Sequence, residues 1–544
     1  MPIGPMSSGV RRERARGARS VGGGRSRRAR CWRSALGATA IAGGSLLAVP
    51  SVAGAQSSAQ TSAPIGAYTS AGTWSFVSAP TLHPPKLHTD VDPKTGKLAK
   101  GDFLLANFPN VDKPGPMDGQ SGPLILNGHL QPVWFEPVPT DVVAMDLKQQ
   151  TYDGKPALSW WQGVVSKTGA TISGTVVVVN DHYKKVATVT GADGWVISPH
   201  EVAISGHDAW VTAYKSLTDV DFSADGGSAS GTLYDFAVQE YDLKTGTLVY
   251  SWDAYKHVAP SASYQAPPAS PTVPWDAYHG NSIQLVGKDE FLVSMRDTWA
   301  AYLVNIKSGD IVWTLGGKHS TFTVPSNTHF EWQHHVTLSP DDTLTVFDDD
   351  CCEISPTGTL AAPGGPSKGL VLKLDTKKHS VALVHRYTHG SDFDAAFTGS
   401  TQLLSNGDVL VGWGSQPYFS EFTKGGKMLL DAELPGKDLS YRALLTNTWV
   451  GKPDGRPTGA ARKAHGKDTV YASWNGATQV AAWRVLAGST VDHLKSVAKK
   501  AMGGFETAIH LKRTYKQLKI QALDANGKVI GTSEAFMVPT PGFY

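Results

Sequence analysis

Apolar and polar residues alternate with a period of two along much of this chain, and short polar turns interrupt the alternation at intervals. In six places an apolar run ends at Asp, Asn or a similar residue, crosses a short turn rich in Gly and Lys, and continues as a second apolar run. Each of these places is predicted to be an antiparallel hairpin. The six hairpins lie at 124–135, 176–189, 238–252, 301–315, 370–387 and 418–434.

The intervals between hairpins leave room for two more strands each, as in DEFLVSM (289–295) and GDVLVGW (407–413). Four strands per unit, repeated six times, predict a six-bladed β-propeller over 116–450. A large β-sandwich or a solenoid remains the alternative. Residues 56–115 are expected to lead into the propeller.

The rhythm changes after residue 450. The segment 451–468 is rich in Pro, Gly and polar residues and is interpreted as a linker. Residues 469–544 contain short strand patterns separated by turn signals, which are typical of a small Ig-like or fibronectin-type β-sandwich. The predicted fold class is therefore all-β.

An export signal is predicted at 1–55. Ten arginines against the single acid Glu13 precede the small apolar run ALGATAIAGGSLLAV, and Ala53 and Ala55 have the spacing of a cleavage site. The stretch SRRARCW resembles a twin-arginine signal but departs from it after the two arginines, so the export route stays open. We expect a secreted or extracytoplasmic protein without a transmembrane segment, because no other segment has about 18 consecutive apolar residues.

Removal of this signal reverses the charge of the protein. The whole chain carries a net charge of +3, but the ten arginines and one glutamate of the signal account for +9 of it. The remaining chain is near −6 and gives no electrostatic reason to expect a nucleic-acid partner. Its oligomeric state is left open.

Two cysteines, Cys351 and Cys352, remain after Cys31 leaves with the signal. Adjacent Cα atoms lie about 3.8 Å apart, which is shorter than the usual disulfide range. A vicinal disulfide and two free thiols in a tight turn both remain open. Two adjacent thiolates alone do not make a zinc site.

Familiar catalytic motifs are absent from the sequence. The stretch LGGKHS (315–320) lacks the upstream glycine and the Ser/Thr of a phosphate-binding loop, and neither G-x-S-x-G nor H-E-x-x-H occurs. The acidic run DDDCCE (348–353) lacks the spacing of a calcium loop and is interpreted as a solvated turn. No cofactor and no metal are predicted.

Four polar residues occupy corresponding places in successive repeats: His200, His279, Arg296 and His334. Each histidine precedes or opens an apolar strand, and the innermost strands of a propeller line one central channel. Three imidazoles and a guanidinium there would suit an anionic, tetrahedral group. A neutral imidazole is also a nucleophile or a general acid or base near pH 7. Taken singly, a histidine before a strand is usually a hydrogen-bonded structural residue, and an arginine such as Arg296 is more often part of a surface salt bridge.

The chain from about 75 to 450 resembles the bacterial arylsulfotransferases, in their actinobacterial and fungal branch. The matching pieces are WVTAYKSLTDVDF (210–222), WDAYHGNSIQL (275–285), LVSMRDT (292–298), GDIVWTLGGKHSTF (309–322), FEWQHHV (330–336) and LLSNGDVLVGWGSQPYFSEF (403–422). The resemblance implies a six-bladed propeller, export, and sulfuryl transfer independent of 3′-phosphoadenosine-5′-phosphosulfate. It also implies that His334 is the sulfated nucleophile, with His200 and His279 as partners and Arg296 as the sulfate-binding group.

The resemblance has one departure, at the residue after the Gln-His pair. Asp or Thr is common there in relatives, whereas this chain has His335. Alternation in a strand sends neighbouring side chains to opposite faces, so His334 and His335 are not both expected in the channel. Which of the two is the nucleophile stays open at this point.

The resulting hypothesis is a two-step transfer from an aryl sulfate to a phenol through a sulfohistidine on His334. Asn281, Trp275 and Trp413 are assigned to substrate binding, and the alternative for the two tryptophans is packing inside the blades. The competing hypothesis from another class is a non-catalytic exported protein, in which the propeller and the Ig-like domain bind a carbohydrate or protein partner and the histidines are structural.

Overall fold

Strands make up most of what the computed structural model describes, namely residues 68–89, 98–110, 115–165, 171–354, 360–436 and 438–538. All of these residues belong to one unit, Gly43–Tyr544. The predicted export signal at 1–55 lies outside the described residues. Within the described ranges, no helix is both long and apolar enough to cross a membrane.

The elements before residue 450 are 28 strands, one α-helical turn and four 3-10 turns among the described residues. The helical turn α1 is Ala254–His257, and the 3-10 turns are Ser223–Asp225, Pro260–Ala262, Arg296–Thr298 and Ser326–Thr328. The strands are β1 (His88–Thr89), β2 (Asp102–Pro109), β3 (Gly122–Leu126), β4 (Pro132–Phe135), β5 (Val143–Tyr152), β6 (Lys155–Val165), β7 (Thr171–Asn180), β8 (Lys185–Thr190), β9 (Val196–Ser205), β10 (Asp208–Val220), β11 (Gly231–Asp242), β12 (Leu248–Asp253), β13 (Gly280–Val286), β14 (Glu290–Met295), β15 (Ala300–Asn305), β16 (Ile311–Gly316), β17 (His334–Leu338), β18 (Thr343–Asp348), β19 (Cys352–Ile354), β20 (Leu360–Pro363), β21 (Lys368–Asp375), β22 (Ser380–Thr388), β23 (Ser400–Leu403), β24 (Val409–Gly412), β25 (Tyr418–Phe422), β26 (Met428–Glu433), β27 (Asp438–Ser440) and β28 (Leu444–Thr446).

Most of these strands form antiparallel sheets of four or five neighbours. The orders are β5-β6-β7-β8, β12-β11-β10-β9, β13-β14-β15-β16, β17-β18-β21-β22, β1-β26-β25-β24-β23, and β27-β2-β3-β4 with β28 also on β2. The six predicted hairpins are confirmed as the pairs β3–β4, β7–β8, β11–β12, β15–β16, β21–β22 and β25–β26. The expected strands at 289–295 and 407–413 are β14 and β24.

Contacts between the sheets follow a closed circuit. Contacts run from β2 to β5, from β5 to β9, from β9 to β13, from β13 to β17, from β17 to β23, and from β23 to β28. The circuit closes because β28 and β27, near the end of this region, pair with β2 near its beginning. The starts of β9, β13 and β17 are thereby brought to one place.

Burial explains why strand patterns differ along each sheet. The middle strands β3 and β24 are buried along their whole length, because neighbouring sheets cover both faces. The outer strands β8 and β22 alternate between buried and exposed positions, because one face of each meets solvent. This difference produces the mixture of continuous apolar runs and alternating runs in the sequence.

The remaining strands form two smaller antiparallel sheets, β29-β30-β33 and β32-β31-β34-β35. The strands are β29 (Thr458–Ala464), β30 (Lys467–Ser473), β31 (Ala482–Gly488), β32 (Lys495–Ala501), β33 (Glu506–His510), β34 (Gln517–Leu523) and β35 (Val529–Thr532), with a 3-10 turn at Val491–His493. Both sheets contribute to one hydrophobic cluster that contains Val470, Trp483 and Ile520.

The segment interpreted as a linker, 451–468, contains strand β29. This strand pairs with β30 across His465 and Gly466, which both have positive φ angles, 49° and 72°. Two consecutive residues with positive φ make the tight hairpin turn that matches strand twist. The strand was missed because its sequence, TGAARKA, is mostly Ala, Gly and basic residues and has a single β-branched residue, Thr458.

The buried strands predict a clear difference between two leucines of one sheet. Leu430 in β26 is fully buried in a cluster with Leu410 and Phe419, whereas Leu403 at the end of β23 is 39% exposed. Leu430→Ala is expected to lower the free energy of unfolding by about 2–5 kcal/mol, because it leaves a cavity. Leu403→Ala is expected to change it by about 0.5 kcal/mol or less. Urea unfolding of both variants checks this, and equal losses would contradict the packing of the sheet.

Candidate active site

Gln333, the residue before His334, anchors the start of β17. Its side chain is fully buried, and its amide nitrogen Nε2 donates to Ser294 Oγ at 3.0 Å and to the carbonyls of Met295 at 3.1 Å and Ala300 at 3.2 Å. The backbone carbonyl of Gln333 accepts a hydrogen bond from Asn281 Nδ2 at 2.7 Å. The Gln of the Gln-His pair therefore fastens β17 to the preceding sheet and fixes where His334 lies.

Left-handed backbone conformations concentrate around this point. His279, Trp332 and His335 have φ angles of 48°, 56° and 47°, which non-glycine residues seldom adopt. Such residues cost free energy and persist only where the surrounding packing holds them. Here they turn the chain at the entrance to β13 and around the first residues of β17.

His334 is 1% exposed and has partners on both ring nitrogens. Its Nδ1 lies 2.6 Å from Oδ2 of Asp349, and the backbone N–H of Thr398 donates to Nε2 at 3.3 Å. Burial lowers the pKa of His334 well below its ordinary value, and the positive charge of Arg296 lowers it further. The ring is therefore neutral at physiological pH.

His200 and His279 lie together beside it, with ring centroids 5.1 Å apart. The Ser198 hydroxyl lies 2.9 Å from His200 Nδ1, and burial lowers the pKa of His200 well below its usual range. His279 Nδ1 lies 2.6 Å from Oδ2 of Asp276. Burial works against a charged His279, but Asp276, assisted by Asp297, outweighs it and raises the pKa. The two neighbouring imidazoles thus have opposite protonation tendencies.

Arg296 lies in the 3-10 turn that follows β14 and is 9% exposed. Its Nη1 donates to Asp297 Oδ1 at 2.9 Å, its Nη2 donates to the carbonyl of Ala396 at 3.3 Å, and its guanidinium stacks 4.8 Å from the ring centroid of Trp332. Its Nε has no hydrogen-bond partner among the described residues. One donor of a firmly held cation is therefore free for a ligand.

The cysteine pair lies against this arginine. Cys351 and Cys352 form a vicinal disulfide, with Cα atoms 3.7 Å apart, and Cys351 Sγ lies 3.7 Å from Arg296 Nη2. The indole N–H of Trp332 donates to the carbonyl of Cys352 at 2.9 Å. Of the two possibilities left open by the sequence, the structure contains the disulfide.

Tyr441 completes the ring of side chains. Its ring centroid lies 5.7 Å from that of His200 and 6.3 Å from that of His334, edge-on to both. Its hydroxyl and the hydroxyl of Thr398 are buried without a hydrogen-bond partner among the described residues. Buried polar groups are normally paired, so these hydroxyls and the Arg296 Nε point to a polar ligand at this place.

The residues assigned from the sequence fall into two sets. His200, His279, Arg296 and His334 are brought together, and Asn281 adjoins them through Gln333, with its own Oδ1 unpartnered. The two tryptophans lie in hydrophobic clusters instead. Trp275 packs against Phe222, and Trp413 packs against Phe347 and Phe393. The structure shows no hydrogen bond or ring contact between either indole and His200, His279, Arg296 or His334.

The adjacent histidines have different surroundings. Strand pairing between β17 and β18 shifts register after His334, so the two rings are separated by an irregular backbone rather than by simple alternation. His335 Nδ1 accepts a hydrogen bond from the Thr401 N–H at 3.3 Å. Burial lowers the pKa of both rings, and the largest further cause is Arg442 for His335 and Arg296 for His334.

Sequence reasoning missed several members of the site. The acidic run at 348–353 was interpreted as a solvated turn, but Asp348 and Asp349 are at most 1% exposed. The interpretation was wrong because Lys368 pairs with Asp348 at 3.0 Å and the ring of His334 meets Asp349. Asp276 could have been found from the sequence, because it lies only three residues before His279. Thr398 and Tyr441 could not, because they lie in segments without a motif.

Two groups of side chains have the composition of a cation site. Asp276, His279 and Asp297 form one group, and His207, Asp208 and Asp242 form another, at a partly exposed position. In the first group, Asp276 is engaged by His279 and Asp297 by Arg296. Those carboxylates therefore already have partners within the protein.

Comparison with known proteins identifies a family for this chain. No curated protein matches this chain. Similar solved structures include a protein of unknown function from Bacteroides caccae, with 12% identity over 61% of this chain and 93% of that chain, at a TM-score of 0.36. An inactive virginiamycin B lyase from Staphylococcus aureus has 9% identity over 65% and 87%, at a TM-score of 0.28, and the Dos1 propeller has 12% over 64% and 72%, at 0.26. Scores this low define neither fold nor function.

The family model described as "Arylsulfotransferase (ASST)" matches residues 148–434. This match spans more than half of the 544 residues and includes His200, His279, Arg296 and His334. The chain therefore belongs to the arylsulfotransferase family and is an arylsulfotransferase.

Proposed function

We propose that this protein moves a sulfuryl group from an aryl sulfate to a phenolic acceptor through a sulfohistidine on His334. The transfer needs no 3′-phosphoadenosine-5′-phosphosulfate. The observation that carries the proposal is the convergence of His200, His279 and Arg296 on a buried, neutral His334. A cluster with two uncharged imidazoles, a guanidinium, a third imidazole that favours its proton, and unpaired hydroxyl groups fits a tetrahedral anion better than a purely structural role for four polar side chains.

The proposed frame is a six-bladed propeller in an exported protein. The closed circuit of contacts among the sheets, sealed where β27 and β28 pair with β2, supports six blades around a centre. The two small sheets after residue 450 share one core and support an Ig-like sandwich. The arginine-rich stretch and the apolar run at 1–55 support export.

The donor's sulfuryl oxygens would be held by Arg296 and His200, with the Thr398 and Tyr441 hydroxyls beside them. Arg296 is held by Asp297 and by stacking on Trp332, so its unpaired Nε is fixed in place before the substrate arrives. Fixed donors at the place where charge develops stabilise a transition state by several kcal/mol. We assign Trp332 and Tyr441 as the aromatic contacts of the aryl group, and Asn281 remains a proposed substrate-binding residue.

In the first step, Nε2 of His334 attacks sulfur as the bond from sulfur to the aryl oxygen breaks. Burial and Arg296 keep the ring unprotonated, and the Thr398 N–H that donates to Nε2 at 3.3 Å has to give way as sulfur approaches. As in phosphoryl transfer, the protein contributes mostly position and electrostatics. In the second step, the oxygen of an incoming phenol attacks the sulfur of the sulfohistidine and releases His334.

His279 is the proposed acid and base. Its raised pKa favours the protonated ring, which gives its proton to the departing phenolate and recovers a proton from the acceptor phenol. His200, whose pKa is lowered by burial, is suited to contact the sulfuryl group as a neutral ring. The Ser198 hydroxyl, 2.9 Å from its Nδ1, orients this ring.

Replacement of the nucleophile should abolish turnover. His334→Ala is expected to lower kcat with p-nitrophenyl sulfate and a phenol acceptor by at least about 10³-fold, because no other imidazole occupies its position. His329→Ala, in the same segment but with a 42% exposed side chain, is the control and should retain activity. Release of nitrophenol, followed by absorbance, measures both. Full activity of His334→Ala would refute the proposed function.

The role of His279 as the acid should be visible in how the activity towards phenyl sulfate, a donor with a poor leaving group, depends on pH. Because the pKa of His279 is raised above 6.5, activity should persist above pH 6.5 and fall as the pH rises through the raised value. Asp276→Asn removes the largest charge that favours the protonated ring, while burial and Arg296 still oppose protonation. The fall in activity at high pH should therefore move to lower pH.

The matched comparison is p-nitrophenyl sulfate, whose phenolate leaves with little need for a proton. Its kcat/KM profile should change less in Asp276→Asn than that of phenyl sulfate. A fall at high pH that is unchanged for both donors would show that His279 is not the acid.

A further inference from the structure

One buried carboxyl group, that of Asp349, has no role in the mechanism described so far. Asp349 follows β18 and is fully buried, with Oδ2 2.6 Å from His334 Nδ1. Its backbone carbonyl accepts a hydrogen bond from Ser367 Oγ at 2.6 Å, and the same Oγ accepts one from the Ala395 N–H at 2.7 Å. These bonds fix the backbone of Asp349 beside the imidazole, and the second carboxyl oxygen, Oδ1, has no hydrogen-bond partner among the described residues.

The contacts of His334 specify which nitrogen carries the ring proton. The Thr398 N–H donates to Nε2, so Nε2 must present a lone pair. A neutral imidazole has one proton, which is then on Nδ1 and faces the Asp349 oxygen. The tautomer with the proton on Nε2 would place two hydrogens against each other at Thr398 and would have no nucleophilic atom on that side.

We infer that Asp349 is a positioning residue for sulfuryl transfer: it holds His334 as the Nδ1–H tautomer and thereby makes Nε2 the atom that attacks sulfur. This inference rests on the proposed function of His334. Nothing in the sequence motif assigns it, since Asp349 lies 15 residues away along the chain. Carboxylates that hold the far nitrogen of a reactive imidazole are a recurring device in catalytic sites.

The chemistry of the step agrees with this placement. As the bond between Nε2 and sulfur forms, the bond between sulfur and the aryl oxygen breaks and its electron pair leaves with the phenolate. The ring nitrogens gain positive charge, and the Nδ1 proton stays between Nδ1 and the carboxyl oxygen 2.6 Å away. When an acceptor phenol takes the sulfuryl group, the ring returns to its neutral form with the same tautomer. No proton has to leave the pair.

The neighbouring imidazole shows the opposite arrangement. His335 Nδ1 accepts a hydrogen bond from the Thr401 N–H, so its lone pair is on Nδ1. Its proton is then on Nε2, which has no lone pair in the ring plane. Of the two adjacent histidines, His334 is the one whose Nδ1 meets a carboxyl group and whose neighbours are Arg296, His200 and His279, and this favours it as the nucleophile.

Asp349→Asn is the first test. An amide at this place can donate to Nδ1 and favour the tautomer with the proton on Nε2. We expect kcat to fall by about 10²–10⁴-fold, as for the loss of an orienting carboxylate elsewhere, with a much smaller change in the KM of the donor. The release of nitrophenol in a single turnover without acceptor should slow equally, because the first step is affected.

Asp350→Asn is the matched control, since this neighbouring carboxylate pairs with Lys368 and not with His334. It should retain activity within a few-fold. Asp276→Asn is a second comparison and should slow phenyl sulfate more than p-nitrophenyl sulfate, whereas Asp349→Asn should slow both donors alike.

The tautomer itself is the readout that a merely structural role would not change. In protein labelled with ¹⁵N-histidine, His334, assigned by comparison with His334→Gln, should show a protonated Nδ1 and an unprotonated Nε2. Asp349→Asn should reverse or mix the two signals. A wild-type His334 that carries its proton on Nε2 would overturn the inference even if the variant does not fold.

The outcomes separate this inference from the function it rests on. If His334→Ala is inactive while Asp349→Asn has wild-type kcat, the positioning role is refuted and the proposed function stands. If His334→Ala is fully active, the proposed function fails. A loss of activity in Asp350→Asn as large as in Asp349→Asn would mean that the turn as a whole, and not this carboxyl group, matters.

Discussion

Arg442 connects the strands on which the site is built. This buried side chain donates from Nη1 to Asp146 Oδ1 at 3.0 Å and to Glu201 Oε2 at 2.9 Å, and from Nη2 to the carbonyl of Asn281 at 3.0 Å. The three partners belong to β5, β9 and β13, and Arg442 itself lies between the closing strands β27 and β28. A buried charge is costly unless opposite charges pair with it, so the two carboxylates and the carbonyl that contact Arg442 fix these strands relative to one another. Glu201 adjoins His200, so the position of that imidazole depends on the network.

Burial at this centre also divides the three imidazoles by their proton affinity. His334 and His200 lose proton affinity, because water is excluded and Arg296 and Arg442 are near. His279 gains it, because Asp276 contacts its Nδ1. A nucleophile that must be neutral and an acid that must be charged therefore coexist within one cluster, and neighbouring carboxyl groups create the difference.

Much of the fold could be predicted from the sequence, because hairpin turns and alternation are local signals. All six hairpins were found in this way, and so were the positions of His279, Arg296 and His334 at the starts or ends of strands, whereas His200 lies in the middle of β9 and not at its start. The strand at 458–464 was not predicted, because its composition carries little of that signal. A different reason applies to the site residues that were not predicted, Asp349, Thr398 and Tyr441: only long-range packing brings them to His334. Tryptophans near motifs were assigned to substrate, although indoles are large and usually serve the core.

The central claim is that His334 carries the sulfuryl group between donor and acceptor. The most direct measurement is mass spectrometry of the protein after brief incubation with p-nitrophenyl sulfate in the absence of an acceptor, followed by digestion and fragmentation of the peptide that contains residues 330–336. We predict a gain of one SO₃ on His334, which a phenol acceptor removes. An unmodified peptide, or an SO₃ group on His335, would contradict the account.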